Sequence, residues 1–214
     1  AGSRAGLLGF LFLFGCGAVL LRMLLGWRAA RKMLHASTPI ADAQWQASLV
    51  AAKAELDVTQ PVRLQQSFEI AVPLTLGVLR PSILLPRDCD DWSDARRRLV
   101  LLHELSHIKR GDCLQALIAQ AACALHFCNP LVWLADRTMR EERELAADDL
   151  VLTAGVRPSS YATELLEVAR TLRDQPLKWA VAMAGHTRLE GRLRRILDPR
   201  ADHRPLSWRH SVIL

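Results

Sequence analysis

Apolar and polar positions along this chain fall into blocks whose texture changes abruptly. Residues 5–27 are almost wholly apolar, with Arg22 as the single charge in 23 positions. A run of that length can cross a bilayer as one helix. Arg22 lies near its end, where a long side chain reaches the interface, and Trp27 suits the headgroup belt. A secretory signal is the competing reading, but the run is long for one and no small-x-small cleavage site precedes the charged stretch. Arg28, Arg31 and Lys32 follow at once, so the positive-inside rule puts the next domain in the cytoplasm.

Between 42 and 57, Trp45, Leu49, Ala52 and Leu56 recur at helical spacing, with Asp42 placed to cap. The stretch from Pro61 to Pro86 is rich in Val, Ile, Leu and Thr and is broken by Pro73, Gly77 and Pro81. It predicts two to four short strands, at least one of them an edge. A helix then starts at Ser93 or Asp91 and stops at Gly111. Residues 113–128 are apolar all round and end at Asn129-Pro130. Sixteen residues are short for a span, so a re-entrant or interfacial helix is expected there. Further helices are predicted from Pro130 to Thr153 with Gly155 closing it, from Pro158 to near Asp174, and over about 187–197. Residues 207–214 read as the start of another apolar span, cut short.

Composition refines this outline. Formal net charge is +6, carried by arginines such as Arg96, Arg97, Arg98, Arg188, Arg192, Arg194 and Arg195. With one Tyr and five Phe, and no DNA-reading motif, nucleic-acid binding is not expected. Contact with anionic lipid headgroups is the plainer reading. The five cysteines form no CxxC pair and read as small buried hydrophobes rather than a disulfide framework.

Candidate chemistry centres on His103-Glu104-Leu105-Ser106-His107. Histidines four apart share one helix face and can share one metal. Glu104 leaves from the neighbouring face, badly placed as a ligand but able to reach a water activated by zinc. Leu99, Val100, Leu101, Leu102, Leu105 and Ile108 are expected to bury this helix. A chance match is the bland alternative, and catalytic zinc needs a third protein ligand. Glu144 in the run Arg140–Asp148 can complete a His2Glu site, and Asp148 can accept a hydrogen bond from a ligand imidazole. Taken alone, that acidic run is an ordinary solvated helix face. Tyr161, the only tyrosine, is a packing residue or a candidate transition-state contact. His126 reads as a core histidine, His186 as a loop residue, and Asp112 as a cap for the following helix. An edge strand within 68–86 would let an extended peptide add on by main-chain hydrogen bonds.

The ordered motifs HELSHIKRGD, FCNPLVW and REERELAADD, with PLTLGVLRPSILLP before them and MAGHTRLEGRLRRILDP after, resemble the BlaR/MecR-type integral-membrane metallopeptidases over roughly 60–200. Ala147 departs from the cysteine often found in that family before the aspartate of the third motif. The resemblance implies a gluzincin with His103, His107 and Glu144 as Zn2+ ligands and Glu104 as catalytic base. It also implies a cytoplasmic-facing peptidase domain between membrane helices in a bacterial inner membrane. In such proteins a sensor responds to beta-lactam and the peptidase inactivates a repressor; no penicillin-binding sensor lies in these residues. The expected fold is α+β and mainly helical: a membrane-tethered zincin-like domain with a small edge-strand sheet. Expected parts are a transmembrane helix (1–27), the peptidase domain (28–200) and a further membrane segment (201–214). Expected partners are a protein or peptide substrate, such as a transcriptional repressor, and the lipid bilayer. A housekeeping quality-control protease and a non-catalytic scaffold with structural zinc are the rival functions.

Overall fold

The computed structural model describes residues 2–173 and 189–203. Helix α1 (Gly2–Ala36) leads into strand β1 (Thr38–Pro39), then α2 (Ala43–Glu55), β2 (Arg63–Ser67), β3 (Leu74–Leu76) and β4 (Ser82–Pro86). A 3-10 turn (Arg87–Asp91) precedes α3 (Asp94–Arg110), α4 (Asp112–Leu125), α5 (Pro130–Thr153) and α6 (Pro158–Arg173). Residues 189–197 form α7. The architecture is mainly helical α+β, as expected.

Local chemistry sets most boundaries. Asp42 accepts from Trp45 N at 2.9 Å and caps α2, whose Trp45, Leu49 and Ala52 enter the core. Ser93, not Asp91, caps α3 through Arg96 N, and Gly111 closes it in the left-handed region at φ 68°. The sheet runs β1-β2-β4-β3, with β2 and β4 parallel and both outer pairs antiparallel. Strand β4 is buried throughout, which explains its continuous apolar run rather than an alternating one. β3 is an edge, joined to β4 through Gly77 at φ 96°. A Cβ there would stand 2.7 Å from the Arg80 carbonyl oxygen, so only glycine fits.

Helix α3 is the centre of the molecule, packed against α2, α4, α5, α6 and β3. Leu99, Val100, Leu101, Leu102, Leu105 and Ile108 are all buried. Fully burying each such side chain is worth roughly 1.5–3 kcal/mol, so α3 is fixed by its neighbours more firmly than by its own propensity.

Several expectations change. α1 does not end at Trp27. It runs to Ala36, because no proline or cap interrupts it and Arg31 stacks over the Trp27 ring. Its Phe12–Ala36 portion is long and apolar enough to cross a membrane. Strand β1 and the 3-10 turn carry no sequence signal of the kind used above. The helix expected over 113–128 is α4, 14 residues long, or about 21 Å against a hydrocarbon core of about 30 Å. It is not apolar all round in use: Ala119, Cys123 and Ala124 are buried while Leu114, Leu117, Ile118 and Leu125 are exposed. It packs on α1 and α5, where the Phe127 ring fills the gap left by Gly15. Cys89 and Cys123 are buried, but Cys128 is exposed, so the buried-hydrophobe reading fails there. His126 is exposed at the end of α4, neither core residue nor ligand. His186 and the segment 207–214 lie outside the described residues.

The arginines read as lipid contacts are largely occupied within the protein. Arg96 pairs with Glu164 and lies over Trp92, and Arg98 grips Glu55 with two nitrogens. Arg97 is buried against Trp45 and bonds Gln44 and the Asp90 carbonyl. Arg192 and Arg195 turn towards α5.

Candidate metal centre

Helix α3 presents His103 and His107 on one face, with Nε2 atoms 3.3 Å apart. Glu144 comes from α5, its Oε2 3.7 Å from His103 Nε2 and its Oε1 3.9 Å from His107 Nε2. Ligand atoms of these three side chains all lie within 4.8 Å of one another. The donor set fits a metal: two nitrogens held ~2.0–2.1 Å from one tetrahedral ion stand about 3.3 Å apart.

The outer ring nitrogens explain why the inner ones converge. His107 Nδ1 meets Asp112 Oδ2 at 2.7 Å, and Arg110 Nε fixes Asp112 Oδ1 at 3.2 Å. His103 Nδ1 meets the Tyr161 hydroxyl at 2.8 Å, and that hydroxyl donates to Asp148 Oδ1 at 2.6 Å. The tyrosine has one proton and gives it to Asp148, so it accepts from His103 Nδ1–H. Assigning the protons this way leaves both Nε2 lone pairs facing the same point.

Electrostatics agree with that assignment at His103. Burial, then the nearby His107 and Arg192, lower the His103 pKa to about 4, so the ring is neutral at pH 7. Burial pushes His107 down too, but the Asp112 hydrogen bond and the charges of Glu104 and Glu144 outweigh it, and its pKa is raised. Glu144 is held below its usual range: burial acts upward and is overcome by His103, Arg192 and His107. Glu104 is almost fully buried, and burial raises its pKa even though Thr75 Oγ1 donates to its Oε2 at 2.7 Å.

Together these side chains border a cavity of about 280 Å³. His103, Glu104, His107, Glu144, Tyr161, Glu164 and Arg192 form its polar part. Val72, Pro73 and Leu74, leading into and starting the edge strand β3, form one apolar wall; Leu99, Val100, Leu165 and Val168 form another.

The structure thus brings together all six singled-out residues: His103, Glu104, His107, Glu144, Asp148 and Tyr161. Two details differ from expectation. Asp148 does not bond an imidazole directly; its Oδ1 is 3.6 Å from His103 Nδ1 because Tyr161 is inserted between them. Asp112 is not a helix cap: Gly111 holds that position and Asp112 is buried against His107. Three contributors have roles at the site that the sequence does not assign: Asp112, Thr75 and Arg192. Asp112 was visible as an acid five residues after His107 and next to the helix-ending glycine. Thr75 and Arg192 carry no local signal, since tertiary packing alone carries them to the site.

Fold and site define a class: a helical α+β protein whose central helix α3 and neighbouring helix α5 offer a metal-competent His–His–Glu group to a cleft beside an edge strand. The family is more specific. The model of the BlaR1 peptidase M56 family matches residues 2–196, and this chain belongs to that peptidase family. It is also similar to the regulatory protein BlaR1 of Bacillus licheniformis, 39% identical over 100 residues. That match covers 47% of the chain and 17% of the relative, so the chain spans a small part of that protein's length.

Proposed function

We propose that this chain is the zinc-dependent endopeptidase unit of a BlaR/MecR-like signal-transducing protein of the bacterial inner membrane, with the peptidase facing the cytoplasm. The observation that carries the reading is the convergence of His103 Nε2, His107 Nε2 and Glu144 on one point, with Glu104 buried beside it. His103, His107 and Glu144 would hold the ion. When bound, zinc supplies a positive charge that lowers the pKa of water and polarises a peptide carbonyl.

Glu104 takes a proton from the attacking water and returns it to the leaving nitrogen. Thr75 occupies Oε2, and burial brings the carboxyl pKa upward, towards the range where a base works best near neutral pH. Tyr161, with its hydroxyl engaged on both sides, orients His103 and is not assigned a contact with the transition state. The open side of β3 offers main-chain groups to an extended substrate, a strand-addition mode that suits a protein or peptide and leaves side-chain choice to the apolar walls. A transcriptional repressor is the proposed target, and Phe12–Ala36 the proposed bilayer anchor.

Glu104→Gln tests the assignment. It should keep zinc and lose cleavage by about 10²-fold or more, measured by mass spectrometry of proteins in cells carrying either form. One or two spared targets fit signalling; many spared targets would indicate general quality control. Cleavage undiminished in the variant would refute the role of Glu104.

A further inference from the structure

Helix α7 meets the ligand-bearing helix α5 at two neighbouring aspartates. Arg195 Nη2 lies 2.9 Å from Asp149 Oδ2, and His203 Nδ1 holds Asp149 Oδ1 at 2.7 Å. Three residues earlier, Arg192 turns inward. Its Nε and Nη2 donate to Asp148 Oδ2 and Oδ1 at 2.8 and 2.7 Å, while Nη1 stands 3.0 Å from Glu144 Oε2. Its side chain is only 16% exposed and borders the cavity.

The geometry points to Arg192 as a positioning residue that holds two arms of the metal site in register. One arm is Glu144. A glutamate on a helix has freedom about its terminal bond, and the guanidinium removes it by fixing Oε2 3.7 Å from His103 Nε2. The other arm is the chain Asp148–Tyr161–His103, whose aspartate is gripped by two parallel N–H groups. Glu144 and Asp148 are one turn apart on α5, so a single planar fork spans both; a point-charge ammonium cannot match three acceptor directions at once. A cation beside a metal site weakens raw attraction for the ion, so the gain must come from orientation. This inference rests on the zinc reading proposed above and concerns the assembly of the site, with no contact between Arg192 and substrate.

The test is zinc affinity by chelator competition, together with the visible spectrum of the cobalt(II)-loaded protein, on detergent-solubilised full-length chains. Arg192→Gln should bind zinc roughly 10-fold or more weakly, within the range seen for groups that orient ligands, and change the cobalt spectrum. Arg192→Lys should recover part of the loss. Arg195→Gln loosens the same helix at Asp149, outside the site, and should keep wild-type affinity and spectrum. Arg192→Gln leaves the buried Asp148 carboxylate without its counter-charge and can misfold; the double variant Asp148→Asn with Arg192→Gln removes that conflict and should fold by circular dichroism yet still bind zinc weakly. Wild-type affinity and spectrum in Arg192→Gln or in the double variant would overturn the inference. Equal losses in Arg192→Gln and Arg195→Gln would also overturn it, because helix docking would then suffice. Failure of the zinc reading looks different: the wild type itself would bind no zinc, or His103→Ala would bind as well as wild type.

Discussion

Each histidine is useful only because something holds its far side. His107 depends on Asp112 through a 2.7 Å contact. Asp112→Asn should weaken zinc binding roughly 10–100-fold, measured by chelator competition. It should also shift the pH dependence. Asp112 raises the His107 pKa, and zinc must displace that proton, so uptake fails as pH falls through the His107 value. Without the carboxylate that value drops, and the acid limb of zinc uptake should move to lower pH even as the plateau weakens. Thr75 makes the complementary case. Its hydrogen bond to Glu104 acts downward on a carboxyl that burial raises. In Thr75→Val the Glu104 pKa rises further, a base must be ionised to act, and the acid limb of kcat/KM should move to higher pH. An unmoved limb would mean that Glu104 ionisation does not control the rate. The motif made His103, Glu104 and His107 legible because helical periodicity alone puts them on adjacent faces. Thr75 was illegible because it lies 29 residues away in sequence and reaches Glu104 only when β3 lies beside α3.

The elements that announced themselves are those with chemical ends. Asp42, Ser93, Gly111, Asn129-Pro130 and Gly155 mark boundaries through hydrogen bonds or backbone preferences that operate locally. Where no such signal exists the boundaries lie elsewhere: α1 runs nine residues past Trp27 to Ala36, and the two-residue β1 exists only because β2 pairs with it. Edge strand β3 was expected from its prolines and glycine, and Gly77 is what shapes its turn. Gly77→Ala meets both a positive φ and the Arg80 carbonyl, and should cost about 1–3 kcal/mol, read as a lower Tm. Because Thr75 is on β3, the same variant should lower activity beyond the stability loss. Full activity in the folded fraction would separate the strand from catalysis.

At the scale of the molecule, helices α1 and α4 leave large apolar side chains uncovered. Exposed Phe10, Phe14, Leu21 and Leu25 on α1 accompany exposed Leu114, Leu117 and Ile118 on α4, which packs beside it. Patches of this kind mark membrane or protein contact. The chain should therefore sediment with membranes, resist high salt and be released by detergent. Release by salt alone would indicate a charge-driven surface attachment instead. The charge pattern misled at this scale: clustered arginines suggested headgroups, but partners on distant helices claim Arg96, Arg98, Arg192 and Arg195. Sequence spacing cannot reveal such partners, because they are set by how α2, α5, α6 and α7 pack. The central claim remains that α3 and α5 together make one metal site. Its most direct test is the zinc content of purified wild-type protein against Glu144→Ala by elemental analysis. The account predicts stoichiometric zinc in the wild type and little in the variant, with the fold retained by circular dichroism. Equal zinc in the two proteins would contradict it.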